Sequence, residues 1–98
     1  MKTKVYLSGP ITNQPDHMKR FNEAQTALEK EGYSVINPSL IASCLPEDTE
    51  YEDYMKLDMV LLDMCDEIYM LKGWKNSCGA NREYGYAQAK GMVIICQP

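Results

Sequence analysis

The stretch Lys2-Thr-Lys-Val-Tyr-Leu-Ser-Gly-Pro10 decides the fold of this chain. Residues 2–8 predict a β-strand, and Gly9-Pro10 ends it because both residues disfavour a continued strand. Residues 15–31 carry apolar side chains at spacings of three and four, which predicts an amphipathic helix. A strand followed by a helix opens the alternating pattern that builds a parallel sheet.

The rest of the chain continues this alternation. Further strands are predicted over 33–36, 67–71 and 92–96, and further helical segments over 39–43, 51–65 and 77–90. The order predicts an α/β fold with a flavodoxin-like or Rossmann-like parallel sheet of about four strands, flanked by helices and wound by right-handed crossovers. Because no repeat or linker interrupts the pattern, we expect residues 1–98 to form a single domain.

Composition and charge exclude several classes of protein. The chain has 98 residues and a net charge of −4, which argues against binding to duplex nucleic acid. No run approaches the ~20 apolar residues of a membrane span, and no signal-peptide core follows the N-terminus, so we expect no membrane partner and a cytoplasmic location. Four cysteines without a Cys-x-x-Cys pair and a single histidine predict reduced, mostly buried thiols, no metal site and no cofactor.

Two carboxylates fall on helix faces that should point into the core. Asp58 lies between Met55 and Leu61 on an apolar stripe, and Glu83 lies on the small-residue face of the helix predicted over 77–90. Burying an unpaired carboxylate costs several kcal/mol, so such a residue needs a partner or a chemical role. Two inward carboxylates indicate acid, base or nucleophile chemistry. The simpler interpretations are a rotated helix or a local hydrogen bond for Asp58 and an exposed position for Glu83.

Ligands of such sheets bind at the carboxyl ends of the strands. At that edge Ser8-Gly9-Pro10 ends the first strand, and Ser77 with Gly79 opens the last helix as a candidate anion cradle. Turn and N-cap chemistry would also explain both segments. Trp74, in the loop between them, could stack on a base or cover the core edge, and Tyr6 could reach the pocket or belong to the core.

Taken together, these motifs resemble the nucleoside 2-deoxyribosyltransferase superfamily. Residues 5–10 look like its opening strand and loop, and Asp58 matches an acidic position of the family. Its nucleophile helix resembles the run that contains Gly73-Trp74, Ser77, Gly79-Ala80, Glu83 and Gly85-Tyr86-Ala87. The resemblance covers nearly the whole chain and is nearest to a branch of short, often phage-associated relatives.

The resemblance implies cleavage of an N-glycosidic bond. Glu83 would be the nucleophile at C1′ of a (deoxy)ribosyl group, Tyr6 would position its carboxylate, and Asp58 would orient Glu83 or manage the proton of the leaving base. Transferases of the family carry an aspartate six residues before the nucleophile, and Ser77 stands there in this chain. A serine at a helix N-terminus suits a 5′-phosphate. The sequence therefore favours the nucleotide N-glycosidase branch, with a nucleoside 5′-monophosphate as substrate.

Two alternatives stay open at this stage, and a third is disfavoured. The first two are a base-exchanging transferase and a non-catalytic nucleotide-binding module, both of which take a small-molecule nucleoside or nucleotide. A receiver-type phosphoacceptor domain would need acidic residues directly after the first strand, where Ser8-Gly9-Pro10 stands. Because a chain of this size buries only about 60–65% of its unfolded surface, we expect a homodimer or a higher homo-oligomer in which each pocket is completed by a neighbour.

Overall fold

The structure, a computed structural model, describes residues 2–98. In chain order its elements are β1 (Lys4–Ser8), α1 (His17–Lys30), β2 (Ser34–Ile36), α2 (Pro38–Ala42), α3 (Tyr51–Asp63), β3 (Glu67–Met70), a short 3₁₀ turn (Trp74–Asn76), α4 (Cys78–Lys90) and β4 (Val93–Cys96). The predicted alternation of strands and helices is confirmed.

The strands form one parallel sheet in the order β2-β1-β3-β4. Tyr6 of β1 pairs with Ile36 of β2 on one side and with Ile68 of β3 on the other. The chain winds outward from β1 to β2 and then crosses to β3 and β4, which creates a switch point at the carboxyl ends of β1 and β3. The predicted α/β fold with a four-stranded parallel sheet is therefore confirmed, and its ligand edge lies where β1 ends.

Side chains alternate along β1, so they contribute to two separate cores, one on each face of the sheet. Val5 and Leu7 pack with α1, where Phe21 is 1% exposed. Tyr6 packs on the opposite face with side chains of α3 and α4. Since residues two apart on a strand share a face, Ser8 follows Tyr6 towards α4. The last two residues on this face of β1 thus present hydroxyl groups to the helix that carries Glu83.

Most element boundaries lie one or two residues inside the predicted ones. The helix predicted from residue 15 begins at His17, because residues 11–14 form a turn in which the Gln14 N–H donates to the Ile11 carbonyl and Asn13 has φ of 61°. The helix predicted over 51–65 ends at Asp63. These shifts leave the order of the elements unchanged.

The prediction that the cysteines are mostly buried is wrong. Cys44, Cys78 and Cys96 are exposed, and Cys65 is half-buried; all four are free thiols. Cys44 follows α2, Cys78 begins α4, and Cys96 ends β4 at the edge of the sheet, so no neighbouring layer covers them. In the stretch from residue 2 to residue 98, no helix is long and apolar enough to cross a membrane.

Candidate active site

Glu83 is a buried carboxylate held by two hydroxyl groups of β1. Its side chain is 5% exposed. The Tyr6 hydroxyl donates to Oε2 of Glu83 over 2.5 Å, and the Ser8 hydroxyl donates to Oε1 over 2.6 Å. Each carboxylate oxygen therefore has a neutral donor at short range. The two donors reach the same group because the period of the strand places them on one face.

Burial changes the acidity of this group and of its acidic neighbour. The pKa of Glu83 is raised to about 7, chiefly because burial disfavours the charged form; the hydrogen bonds from Ser8 and Tyr6 lower it, and the charge of Asp58 raises it. Burial also raises the pKa of Asp58 to about 6. Burial and the charge of Glu83 hold the pKa of Tyr6 well above its usual value, so its hydroxyl stays a donor.

Both carboxylates lie on the wall of a cavity of about 570 Å³ at the carboxyl edge of the sheet. This volume is within the range of sites for small molecules, ~300–1,000 Å³. The other walls come from the loop after β1, from α2 and α3, and from the first turns of α1 and α4. Among the described residues that line the cavity, His17 is the only one that could carry a positive charge.

Gly9 allows the end of β1 to pass close to the end of β3. A Cβ at Gly9 would lie 2.9 Å from Cβ of Leu71, closer than real side chains approach. The Leu71 N–H donates to the Ser8 carbonyl over 2.8 Å, which fixes this close approach. The loop then continues along the cavity through Gly9, Ile11 and Thr12.

The start of α4 forms the wall near Glu83. Ser77 is the N-cap of this helix, and its Oγ accepts the Ala80 N–H over 3.1 Å. Ser77 and Gly79 both line the cavity. A Cβ at Gly79 would lie 3.4 Å from both the Tyr51 hydroxyl and the Met55 sulfur, so the glycine keeps this end of the cavity open. The N–H groups of a first helical turn lack helical partners and favour anions.

The structure places most of the predicted site residues together. Tyr6 and Ser8 contact Glu83, and the cavity wall contains Asp58, Gly9, Ser77, Gly79 and Glu83. Asp58 is half-buried, which agrees with its predicted place on the inner side of α3.

Trp74 and Pro10 lie elsewhere. The Trp74 ring stacks on Tyr84, with ring centroids 4.7 Å apart, and packs against the core between the sheet and α4. This placement favours the interpretation in which Trp74 covers the core edge, and the role of Trp74 in substrate binding stays a prediction. Pro10 is also not among the lining residues; its ring faces the loop after β3, 3.6 Å from where a Cβ on Gly73 would lie.

The wall that α2 and α3 contribute to the cavity was not predicted from the sequence. Tyr51, Tyr54 and Met55 line the cavity, although their spacing placed them on a stripe assigned to the core. Ser39 and His17 line it as well. One signal in the sequence could have found the two tyrosines. Both are aromatic residues in the first turn of α3, the helix that is followed by strand β3 of the parallel sheet. In the part of the chain described, no three His, Cys, Asp or Glu residues are grouped to hold a metal ion.

The parallel sheet defines an α/β protein, and its switch point carries a cavity of the size typical of small-molecule sites. The chain belongs to the family described as "Domain of unknown function (DUF4406)", whose profile matches residues 3–96. No curated protein matches the chain by sequence.

Solved structures that share this fold include two 2-deoxyribosyltransferases. One is 2-deoxyribosyltransferase from the psychrotolerant bacterium Bacillus psychrosaccharolyticus, described as a biocatalyst for the industrial synthesis of antiviral and antitumoral nucleosides. It has a TM-score of 0.76 and 20% identity over 96% of this chain and 71% of that chain. The other is 2-desoxiribosyltransferase from Leishmania mexicana, with a TM-score of 0.71 and 21% identity over 96% of this chain and 63% of that one. The resemblance to the nucleoside 2-deoxyribosyltransferases is therefore confirmed for the fold.

Proposed function

We propose that this protein cleaves the N-glycosidic bond of a (deoxy)ribonucleoside 5′-monophosphate through a covalent glycosyl ester on Glu83. The observation that carries the proposal is the buried Glu83 carboxylate, held by Tyr6 and Ser8 on the wall of a cavity that can hold a nucleotide. Both structural neighbours are named as 2-deoxyribosyltransferases, which supports the N-glycosidic bond as the bond that reacts.

In the first step the ionised Glu83 attacks C1′ through an oxocarbenium-like transition state. The bond from C1′ to a carboxylate oxygen forms, and the bond from C1′ to the base nitrogen breaks, with its electron pair left on the base. Asp58 in its protonated form donates the proton that the departing base takes up. The pKa values of Asp58, about 6, and Glu83, about 7, place the shared proton mainly on Glu83 near neutral pH, so the reactive state forms when that proton moves to Asp58.

In the second step a water molecule attacks C1′, and the ester bond to Glu83 breaks. The Asp58 carboxylate accepts the proton of that water, so both side chains return to their starting states and the sugar leaves with retained configuration. Tyr6 and Ser8 hold the Glu83 carboxylate in one orientation during both steps, which favours attack over rotation of the side chain. If a second nucleobase takes the place of water, the same ester gives base exchange.

The 5′-monophosphate is favoured by the start of α4. The Ser77 hydroxyl and the unpaired N–H groups of the first turn lie beside the cavity, where they can donate to phosphate oxygens. His17, at the start of α1, is the lining residue able to add positive charge. Base exchange is the second candidate activity, and the names of the structural neighbours favour it.

Base release from a panel of nucleosides and nucleoside 5′-monophosphates, followed by chromatography, tests the proposal. We expect release from at least one monophosphate, loss of release in Glu83→Gln, and a sugar phosphate adduct on Glu83 by mass spectrometry of a quenched reaction. Added free base separates the two activities, because only a transferase forms the exchanged nucleotide. Binding without turnover in the native protein would contradict the proposal and favour a non-catalytic module. Light scattering checks the predicted homodimer or larger homo-oligomer.

A further inference from the structure

Tyr51, the first residue of α3, borders the cavity although the residue is about half exposed. It lines the cavity and is 46% exposed. Its hydroxyl lies opposite the start of α4, near Gly79. Tyr54 and Met55 continue the same wall one turn along α3. A half-exposed aromatic ring beside a cavity offers apolar surface that a flat ligand can cover.

A salt bridge between the two helices holds this ring in place. The Arg82 guanidinium of α4 lies over the Tyr51 ring, 5.7 Å from its centroid. Glu52 accepts two hydrogen bonds from Arg82, over 2.9 and 3.2 Å. A bidentate pair fixes the plane of the guanidinium as well as its position. Arg82 therefore lies over one face of the Tyr51 ring, and Tyr51 also contributes to the cavity wall.

The same two helices carry a second bridge at their other end. There Asp63 of α3 accepts hydrogen bonds from Tyr86 and Lys90 of α4. Both bridges join exposed residues, and such pairs contribute little to stability. In the first bridge Arg82 lies over Tyr51, a residue of the cavity wall. The second bridge instead joins the last residues of the two helices, Asp63 and Lys90. This difference indicates that the first bridge has a role at the site beyond joining the helices.

We propose that Tyr51 stacks on the nucleobase of the substrate and that Arg82, anchored by Glu52, positions its ring. The inference rests on the proposed function, because it takes the cavity ligand to be a nucleotide. Stacking accepts any base, since every base presents an aromatic face. Tyr51 would therefore strengthen binding of all nucleoside monophosphates and leave the sugar phosphate part of the ligand to other groups.

Calorimetric titration tests this inference. The parent protein for the titrations is the Glu83→Gln variant, because it lacks the proposed nucleophile and should leave the ligand intact. The probes are the four common ribonucleoside 5′-monophosphates, their deoxy counterparts, and ribose 5-phosphate as the ligand without a base. Adding Tyr51→Ala should weaken monophosphate binding roughly 5- to 100-fold and leave ribose 5-phosphate binding unchanged. Tyr51→Phe keeps the ring and should restore binding, which separates stacking from a folding defect.

The two salt bridges supply the matched comparison. Glu52→Gln removes the anchor of Arg82 and should weaken monophosphate binding about 2- to 5-fold. Asp63→Asn removes the far bridge and should leave binding unchanged. Equal losses for both substitutions, or equal losses of ribose 5-phosphate and monophosphate binding in Tyr51→Ala, would overturn the inference.

Base release by the native protein, measured separately, distinguishes a failure of the stacking proposal from a failure of the proposed function. If base is released but Tyr51→Ala binds monophosphates as tightly as its parent, stacking is wrong and the glycosidase proposal stands. Suppose that no base is released, but Tyr51→Ala weakens binding of the monophosphates and not of ribose 5-phosphate. The stacking proposal then stands, and the proposed catalysis does not. If the native protein releases no base and the Glu83→Gln parent binds none of the monophosphates, both are wrong.

Discussion

Tyr6 of β1 donates a hydrogen bond to Glu83 of α4 across 77 residues of sequence. This contact joins the first strand to the last helix at the switch point of the sheet. Tyr6 is fully buried, and Glu83 is 5% exposed, so the bond forms where water cannot replace it. A buried hydrogen bond to an ionised group is stronger than one at the surface, because the local dielectric is lower. Tyr6 therefore shares in the control of Glu83: together with Ser8 it orients the carboxylate, and its hydrogen bond lowers the pKa that burial raises.

Tyr6→Phe tests this control. The substitution keeps the buried ring and removes only the hydroxyl, so one oxygen of Glu83 loses its donor. Because that hydrogen bond lowers the pKa of Glu83, its loss raises that pKa further. We expect kcat to fall roughly tenfold and the acid limb of the pH profile of kcat/KM to move to higher pH.

A tyrosine on the other face of the sheet provides the control for this experiment. Tyr69 of β3 packs against the core that contains Val5 and Leu7, away from Glu83. Tyr69→Phe should therefore leave both kcat and the pH profile unchanged. A Tyr6→Phe enzyme with reduced kcat but an unshifted acid limb would mean that Tyr6 does not set the acidity of Glu83.

The stability of the protein should fall as pH rises through the range in which Glu83 and Asp58 ionise. Their folded pKa values, about 7 and about 6, lie above their ordinary values of 4.5 and 3.8. The folded state therefore binds more protons than the unfolded state between these limits. Each group contributes stability that is fully present below its unfolded pKa and is lost as pH rises through its folded pKa.

Glu83→Gln removes the ionisation of Glu83, because the amide cannot ionise, and with it the effect of Glu83 on the pKa of Asp58. The free energy of unfolding of the variant, relative to the native protein, should rise by about 1–3 kcal/mol between pH 5 and pH 8. Urea unfolding at a series of pH values measures it. The lowered pKa values of Glu52 and Asp63 act on both proteins equally and cancel in the difference. Parallel curves for the two proteins would show that burial does not raise the pKa of Glu83.

Ser77→Asp tests the choice of a phosphorylated substrate. Aspartate is a good N-cap, so α4 should keep its first turn. Its charge, however, would repel a 5′-phosphate at the position where Ser77 borders the cavity. We expect the ratio of kcat/KM for a nucleoside monophosphate to that for its nucleoside to fall at least tenfold, as measured by competition between the two. Ser77→Thr retains the hydroxyl and should retain the ratio. An unchanged ratio in Ser77→Asp would place the phosphate elsewhere.

The parts of the site that the sequence predicted are those set by local periodicity. Glu83 shares a helix face with Ala80 and Ala87, which are 1% and 0% exposed, so its inward direction followed from the helical repeat alone. Tyr6 and Ser8 share a strand face for the same kind of reason. The order of the elements likewise predicted the parallel sheet and the edge at which the site lies.

The wall formed by α2 and α3 could not be predicted in this way. Tyr51 reaches the cavity because the start of α3 packs against α4. Arg82 of α4 makes this contact by donating to Glu52, 30 residues earlier in the sequence. Trp74 shows the converse, since its loop lies at the right edge but its ring stacks on Tyr84. Contacts of this kind depend on how separate elements pack, and periodicity within one element does not report them.

Two glycine substitutions should change stability in opposite directions. Gly9→Ala would place a Cβ 2.9 Å from Cβ of Leu71, where the Leu71 N–H already ties the two strand ends together. Gly85 lies within α4, is exposed, and has no neighbour within 4 Å of where its Cβ would be. We expect Gly9→Ala to lower the free energy of unfolding by about 1–3 kcal/mol through overpacking. Gly85→Ala should raise it by about 0.5–1 kcal/mol, since alanine is the better helix former. Urea denaturation measures both, and a Gly9→Ala protein as stable as the native one would mean that β1 and β3 can separate at the site without cost.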